Sequence, residues 1–167
     1  MRTCFKAEFS PETPLVLRFD EASGKYLRPE QEYSHPVRVL VTYPDHSGTT
    51  FVVATFGADH PERCPAPFVF AGEAVKGGAE AGINFVLQAP QILKQGVAET
   101  LHSKEGGRTI REFIDEALAL GVKFYVCDTA LSLCDMTPED LIEEVEDLVG
   151  PSFLIKEGLK SDLVLSF

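Results

Sequence analysis

A chain of 167 residues, 44% of them hydrophobic, can bury one core, so we expect one domain with at most a small appendage. The 26 acidic residues outnumber the 15 basic ones and give a net charge of −11, which disfavours nucleic-acid binding because that depends on basic side chains. The sequence shows neither an apolar run of membrane-spanning length nor a secretory signal. Its four cysteines are irregularly spaced and too few for a disulfide scaffold. We therefore expect a cytoplasmic protein, in a compartment that keeps thiols reduced.

The first 48 residues predict a small β-rich extension. Strand-like runs are LVLRF at 15–19 and VRVLVTY at 37–43. Helices are disfavoured here by five prolines, at positions 11, 14, 29, 36 and 44. We therefore place a domain boundary after residue 48, with the main domain at 49–167.

From Thr49 onward, strand-like and helix-like segments alternate. The predicted strands are 49–56, 82–87, 122–126 and 162–167. The predicted helices fall within 59–78, 89–101, 108–121, 137–150 and 151–161. Such alternation predicts a three-layer αβα fold around a mostly parallel sheet, with helices on both faces.

Two of these helices carry clear terminal signals. The segment 108–121 has Thr109 as a predicted N-cap, Gly121 as its stop, and apolar residues on one face. The acidic segment 137–150 opens with a threonine, a proline and an aspartate at its fourth position, a pattern typical of a helix start.

Cys127 lies between a predicted strand and a predicted helix. Ligand sites of open parallel sheets lie beyond the carboxyl ends of the strands, and Cys127 follows VKFYV directly. If a helix begins at Asp128 or Thr129, the free amide groups of its first turn stabilise the thiolate form of Cys127. A thiolate is the species that attacks sulfane sulfur and then carries it as a persulfide. The alternative is a small buried hydrophobic residue, and the carboxylate of Asp128 disfavours a second anion beside it.

Three stretches resemble the DsrE/DsrF/TusD-like family of sulfur-relay proteins: GVKFYVCDTALSLCDM (121–136), ADHPERCPAPFVFAGEAV (58–75) and GPSFLIKEGLKSDLVLSF (150–167). The resemblance covers roughly 49–167 and leaves out the extension. It implies an α/β subunit that assembles into trimers or hexamers. It also implies that a cysteine at the position of Cys127 accepts persulfide sulfur and passes it to a partner protein, although some relatives lack this cysteine and are non-catalytic.

Cys64 and His60 follow the first strand of the main domain, so we expect them at the same carboxyl edge of the sheet as Cys127. Cys64 is an auxiliary candidate, as a resolving or second relay thiol, if its Cα lies within roughly 7 Å of that of Cys127. His60 is a candidate for proton transfer or thiolate stabilisation. The alternatives are two cysteines that never meet and a solvated surface histidine. Cys134 is expected to pack, and no Cys/His spacing indicates a metal site.

The stretch from Asp135 to Asp147 holds seven carboxylates and no basic residue. A solvated surface is one interpretation of this stretch. The other interpretation is a docking surface for a basic partner. Binding of such a partner would weaken as salt is added.

Residues and resemblance together lead to one hypothesis: an intracellular sulfurtransferase or sulfur-carrier subunit that takes up sulfane sulfur on Cys127. Its partners would be sulfur-donor and sulfur-acceptor proteins and further copies of itself. It would need no cofactor or metal, because the persulfide is the cargo. The alternatives are a non-catalytic oligomeric subunit or small-ligand binding module with an inert Cys127, and a redox switch that uses Cys64 and Cys127.

Overall fold

The computed structural model describes residues 18–20, 25–27 and 48–167. The chain divides into two units, Met1–Pro44 and Asp45–Phe167. The predicted extension over 1–48 and the predicted boundary after it stay predictions.

Two short strands are described in the first unit. β1 (Arg18–Asp20) pairs antiparallel with β2 (Lys25–Leu27). β1 overlaps the predicted run at 15–19, whereas the predicted strand at 37–43 lies outside the described residues.

The second unit contains a five-stranded sheet in the order β6-β5-β4-β3-β7, and every neighbouring pair is parallel. Its strands are β3 (Thr49–Ala54), β4 (Glu80–Phe85), β5 (Lys123–Cys127), β6 (Asp147–Val149) and β7 (Leu163–Ser166). Within residues 48–167 four α-helices follow these strands: α1 (Pro65–Lys76), α2 (Ile110–Ala119), α3 (Asp128–Leu133) and α4 (Pro151–Lys160). The predicted three-layer α/β architecture is confirmed.

The main core lies between the sheet and the helices α1 and α2. Phe68 of α1 packs on Phe85 of β4 and Phe124 of β5, with ring centroids 5.8 and 5.6 Å away. All three side chains are at most 2% exposed. Fully burying one such side chain contributes roughly 1.5–3 kcal/mol, so these aromatic contacts hold α1 on the sheet.

α4 lies on the opposite face of the sheet. Its Phe153 contacts the rings of Phe51 in β3 and Tyr125 in β5, with centroids 6.1 and 4.8 Å away. Because side chains alternate along a strand, Cys127 lies on the same face as Tyr125, two residues further along β5. The thiol therefore belongs to the α4 side of the sheet rather than to the main core.

α2 begins as its sequence predicts. The Thr109 hydroxyl accepts a hydrogen bond from the Glu112 amide, and the Glu112 carboxylate accepts one from the Thr109 amide, which completes a capping box. Beyond the helix, Gly121 adopts a φ of +89°, which glycine reaches without steric cost.

The predicted helix over 137–150 is wrong. Pro138–Asp140 forms a single 3-10 turn, and Asp147–Val149 forms β6 instead. The Glu146 amide donates a hydrogen bond to the Phe124 carbonyl, so pairing with the edge of β5 replaces helical hydrogen bonds. Repulsion among like charges three and four residues apart also disfavours a helix in this acidic segment.

The predicted helix over 89–101 is wrong as well. Ala89–Leu93 forms a 3-10 helix, Lys94 is extended, and Gly96 has a φ of +80° that ends any helical continuation. In the segment 59–78, turns precede α1, which starts only at Pro65. A proline at the first helical position is favourable, because its missing N–H would have no partner there.

Candidate functional site

Cys127 is both the last residue of β5 and the N-cap residue of α3. β5 buries Phe124 and Val126 in the main core, so the strand ends where the next residues turn outward. Asp128 and Thr129 are exposed and start the helix. The thiol therefore lies between a strand and a helix, as the sequence predicts.

The sulfur of Cys127 borders a polar group. The residue is 7% exposed, and its Sγ lies 3.1 Å from the hydroxyl of Thr129. The amide of Thr129 donates a hydrogen bond to the Asp128 carboxylate at 2.6 Å. A hydroxyl at this distance can donate a hydrogen bond to the sulfur as well as accept one from it.

The strand beside Cys127 leads into α4. Cys127 and Val149 are register partners, and α4 begins two residues after Val149, at Pro151. A Cβ added to Gly150 would contact no atom of the described residues within 4 Å, so there is open space beside this turn. The positive end of the ten-residue helix α4 thus lies at the same sheet edge as the thiol.

Cys64 has a very different environment. It is 1% exposed, and its Sγ donates to the carbonyl groups of Gly57 and His60 at 3.3 and 3.4 Å. Burial, with a smaller effect of the nearby carboxylates of Glu62 and Asp59, raises the pKa of the Cys64 thiol to about 12. The thiol is thus protonated near neutral pH. This opposes a relay or redox role, and the auxiliary role of Cys64 stays a prediction.

Cys134 terminates α3 and contacts the loop after β4. Its Sγ donates to the carbonyl of Leu87 at 3.2 Å, and burial raises its pKa. Leu87 has a φ of +53° and is 54% exposed. A left-handed leucine is a strained conformation of roughly 1–3 kcal/mol, of the kind that clusters at functional sites.

His60 lies on the surface of the loop after β3. Its ring is 3.7 Å from the Asp59 carboxylate and 3.5 Å from that of Glu62, and it packs edge-on against Phe56. Only its backbone carbonyl contacts Cys64. A role for the imidazole in proton transfer to Cys127 stays a prediction.

A cavity of about 380 Å³ lies on the α4 side of the sheet, away from the thiol. It is lined by Tyr125 and Phe153, and by Thr49, Glu80 and Lys123 at the amino ends of three strands. Asn84 of β4 is the register partner of Tyr125. It is 1% exposed, and its Oδ1 has no hydrogen-bond partner among the described residues. Cys127 lies at the opposite, carboxyl end of β5.

Within residues 18–20, 25–27 and 48–167, no three histidine, cysteine, aspartate or glutamate side chains converge as ligands for a metal ion. Over the same residues, none of the helices is long and apolar enough to cross a membrane.

Thr129, beside the sulfur of Cys127, and the left-handed Leu87, beside that of Cys134, are features that sequence reasoning missed. The hydroxyl two positions after the cysteine, in CDT, was a usable signal, because Ser and Thr hydroxyls commonly bond to nearby groups at helix starts. The left-handed conformation of Leu87 had no signal, because a leucine normally avoids positive φ.

A model described as the DsrE/DsrF/DrsH-like family matches residues 70–165. A comparison with curated proteins found no match. The solved structure of the ychN protein from E. coli aligns with a TM-score of 0.60 and 17% identity, covering 72% of this chain and 99% of that one. MTH1491, a protein of unknown function from Methanobacterium thermoautotrophicum, aligns with a TM-score of 0.47 and 13% identity, over 70% of this chain and 96% of its own. At this identity, the likeness to ychN shows a shared fold.

Proposed function

We propose that this chain, which belongs to the DsrE/DsrF/DrsH-like family, carries sulfur as a persulfide on Cys127 and delivers it to a partner protein. The family model spans more than half of the chain and includes the segment around Cys127. The observation that carries the proposal is the position of the thiol, at the carboxyl end of β5 with a hydroxyl 3.1 Å from its sulfur. Ligands of open parallel sheets bind at this edge.

The transfer is an exchange reaction at sulfur. The Cys127 thiolate attacks the terminal sulfur of a donor persulfide, a new S–S bond forms, and the donor leaves as a thiolate. Delivery repeats the exchange: the partner's thiolate attacks the terminal sulfur, and the electron pair of the broken bond returns to Cys127. Neither step needs an oxidant, a metal or an organic cofactor. We also propose that the protein acts in the cytoplasm, where thiols stay reduced.

Mass spectrometry of the intact protein after incubation with polysulfide tests the proposal. We expect a gain of one sulfur atom per chain that a reducing agent removes. The variant Cys127→Ser should show no such gain, whereas the control Cys134→Ser should still gain the sulfur. A gain that persists in Cys127→Ser would contradict the assignment.

A small-ligand binding module, or a non-catalytic subunit, is the second candidate function. It is favoured by the 7% exposure of Cys127 and by the cavity of about 380 Å³ on the α4 side of the sheet. The rate of Cys127 alkylation separates the two functions. A Cys127 that reacts more slowly than a free model thiol near neutral pH favours the binding module.

The charge of the segment that carries the thiol indicates which kind of partner it would bind. The sequence from Phe124 to Ile155 contains eight carboxylates and no lysine, arginine or histidine. Of these, Asp140 and Glu144 pair with Lys94 and Arg111. We propose that donor and acceptor proteins approach Cys127 with a basic surface, since opposite charges speed encounter.

We further propose that the chain forms homo-oligomers, a trimer or hexamer, through an apolar surface on α4 and β7. This α4–β7 surface consists of Ile155, Leu159 and Val164, which are 60%, 84% and 47% exposed. Every residue of α4 is at least partly exposed. A cluster of exposed aliphatic side chains on one helix and an adjacent strand is typical of a protein–protein interface.

A further inference from the structure

Within residues 48–167, the Thr129 hydroxyl is the polar group recorded within hydrogen-bond distance of the Cys127 sulfur. In the described structure, the Thr129 hydroxyl is 3.1 Å from Sγ, while the Thr129 amide already donates to the Asp128 carboxylate. That amide belongs to the first turn of α3 and would otherwise be a donor for the sulfur. α3 is only six residues long, so few peptide dipoles align behind it.

The elements that adjoin Cys127 carry carboxylates. Asp128 is in α3, Asp135 follows it, and Glu146 and Asp147 lie at the start of the neighbouring strand β6. All four are carboxylates, and the sequence from Phe124 to Ile155 contains no lysine, arginine or histidine to offset them. Tyr125, on the same face of β5, adds no charge near neutral pH, because the ordinary pKa of its phenol is 10.0 and burial raises that pKa further.

We infer that the Thr129 hydroxyl donates a hydrogen bond to the Cys127 thiolate and thereby sets how fast this sulfur reacts. The inference rests on the proposed function and adds a residue to it. When the thiol loses its proton to water, Sγ can only accept, and the hydroxyl of Thr129 rotates to donate to it. The same hydroxyl stabilises the thiolate that returns when the terminal sulfur leaves for the partner. Thr129 keeps its own proton throughout.

Two substitutions separate the hydroxyl from the shape of the side chain. Thr129→Val keeps the branched form and removes the donor, whereas Thr129→Ser keeps the donor and removes a methyl group. Thr129 is exposed, so neither change opens a cavity in the core, and we expect both variants to melt near the wild-type temperature.

The readout is the rate of Cys127 alkylation by iodoacetamide over a range of pH, followed on the Cys127 peptide by mass spectrometry. We expect Thr129→Val to react about tenfold more slowly near neutral pH, since a hydrogen bond to a charged group is commonly worth at least this much. The loss should disappear at alkaline pH, where the thiolate forms without the donor. Thr129→Ser should stay within about twofold of wild type, because its hydroxyl still donates.

Three outcomes are decisive. Equal alkylation profiles for Thr129→Val and wild type would overturn the inference. A Thr129→Ser variant as slow as Thr129→Val would also overturn it, because the methyl group rather than the donor would then matter. If wild-type protein takes up no sulfur from polysulfide while Thr129→Val still slows alkylation, the role of Thr129 is supported and the proposed function fails.

Discussion

Two cysteines near the carboxyl edge of the sheet have opposite surroundings. The Cys64 sulfur is held by backbone carbonyl groups, which accept hydrogen bonds from a thiol and repel a thiolate. The Cys127 sulfur lies beside a hydroxyl, which can donate as well as accept. The two sulfurs therefore differ in the groups that contact them, although both lie near the same edge of the sheet.

The raised pKa of Cys64 makes stability depend on pH under alkaline conditions. Below the ordinary thiol pKa of 9.0, the group is protonated in both the folded and the unfolded state. Between that value and about 12, only the unfolded state loses the proton, so the free energy of unfolding falls as the pH rises. We expect Cys64→Ala to lose less stability over this range, measured by urea unfolding at several pH values above 9.0. Parallel pH slopes for the two proteins would contradict this assignment.

At the scale of elements, α4 differs from the other long helices. α1 and α2 each bury three or more residues in the main core, whereas every residue of α4 is at least partly exposed. β7, the strand that follows α4, lies at the edge of the sheet and exposes two apolar residues. An exposed edge strand beside an exposed apolar helix is prone to pair with another chain.

The substitution Leu159→Glu tests whether this surface joins copies of the chain. We expect light scattering after size exclusion to give a multiple of 18.3 kDa for the wild type and a mass close to that value for the variant. A carboxylate at the centre of an apolar interface would be desolvated without a partner, which opposes association. The control Ala119→Glu adds the same charge to an exposed position of α2, on the opposite face of the sheet from α4. Monomeric wild type, or a Leu159→Glu variant that stays oligomeric, would contradict the proposal.

For the whole molecule, the net charge of −11 is unevenly placed with respect to the thiol. The segment from Phe124 to Ile155, which carries Cys127 and β6, lacks basic residues entirely. We expect a partner that approaches Cys127, as proposed above, to meet a negative field, which is screened over about 8 Å at physiological salt.

Peptide thiols test this field. Sulfur transfer from the Cys127 persulfide to a cysteine peptide flanked by arginines should be faster than transfer to one flanked by glutamates. The difference should shrink as salt is added, because screening weakens steering of both peptides. Equal rates at low salt would contradict a basic partner while leaving the persulfide chemistry itself intact.

Much of the architecture could be predicted from local patterns. Strand and helix alternation predicted the parallel three-layer fold, and the residues on either side of Cys127 predicted its position between β5 and α3. The predicted helix over 137–150 failed because local apolar spacing does not report the free edge of β5, with which Asp147–Val149 pairs.

The sequence by itself determined the succession of β3, α1, β4, α2 and β5 and the strand-to-helix position of the thiol, because both depend on residues adjacent along the chain. Only the tertiary structure decided the burial of Cys64, the exposure of the α4–β7 surface and the strained Leu87 beside Cys134. Desolvation and edge pairing depend on atoms from distant segments, and their energies arise only when those segments meet.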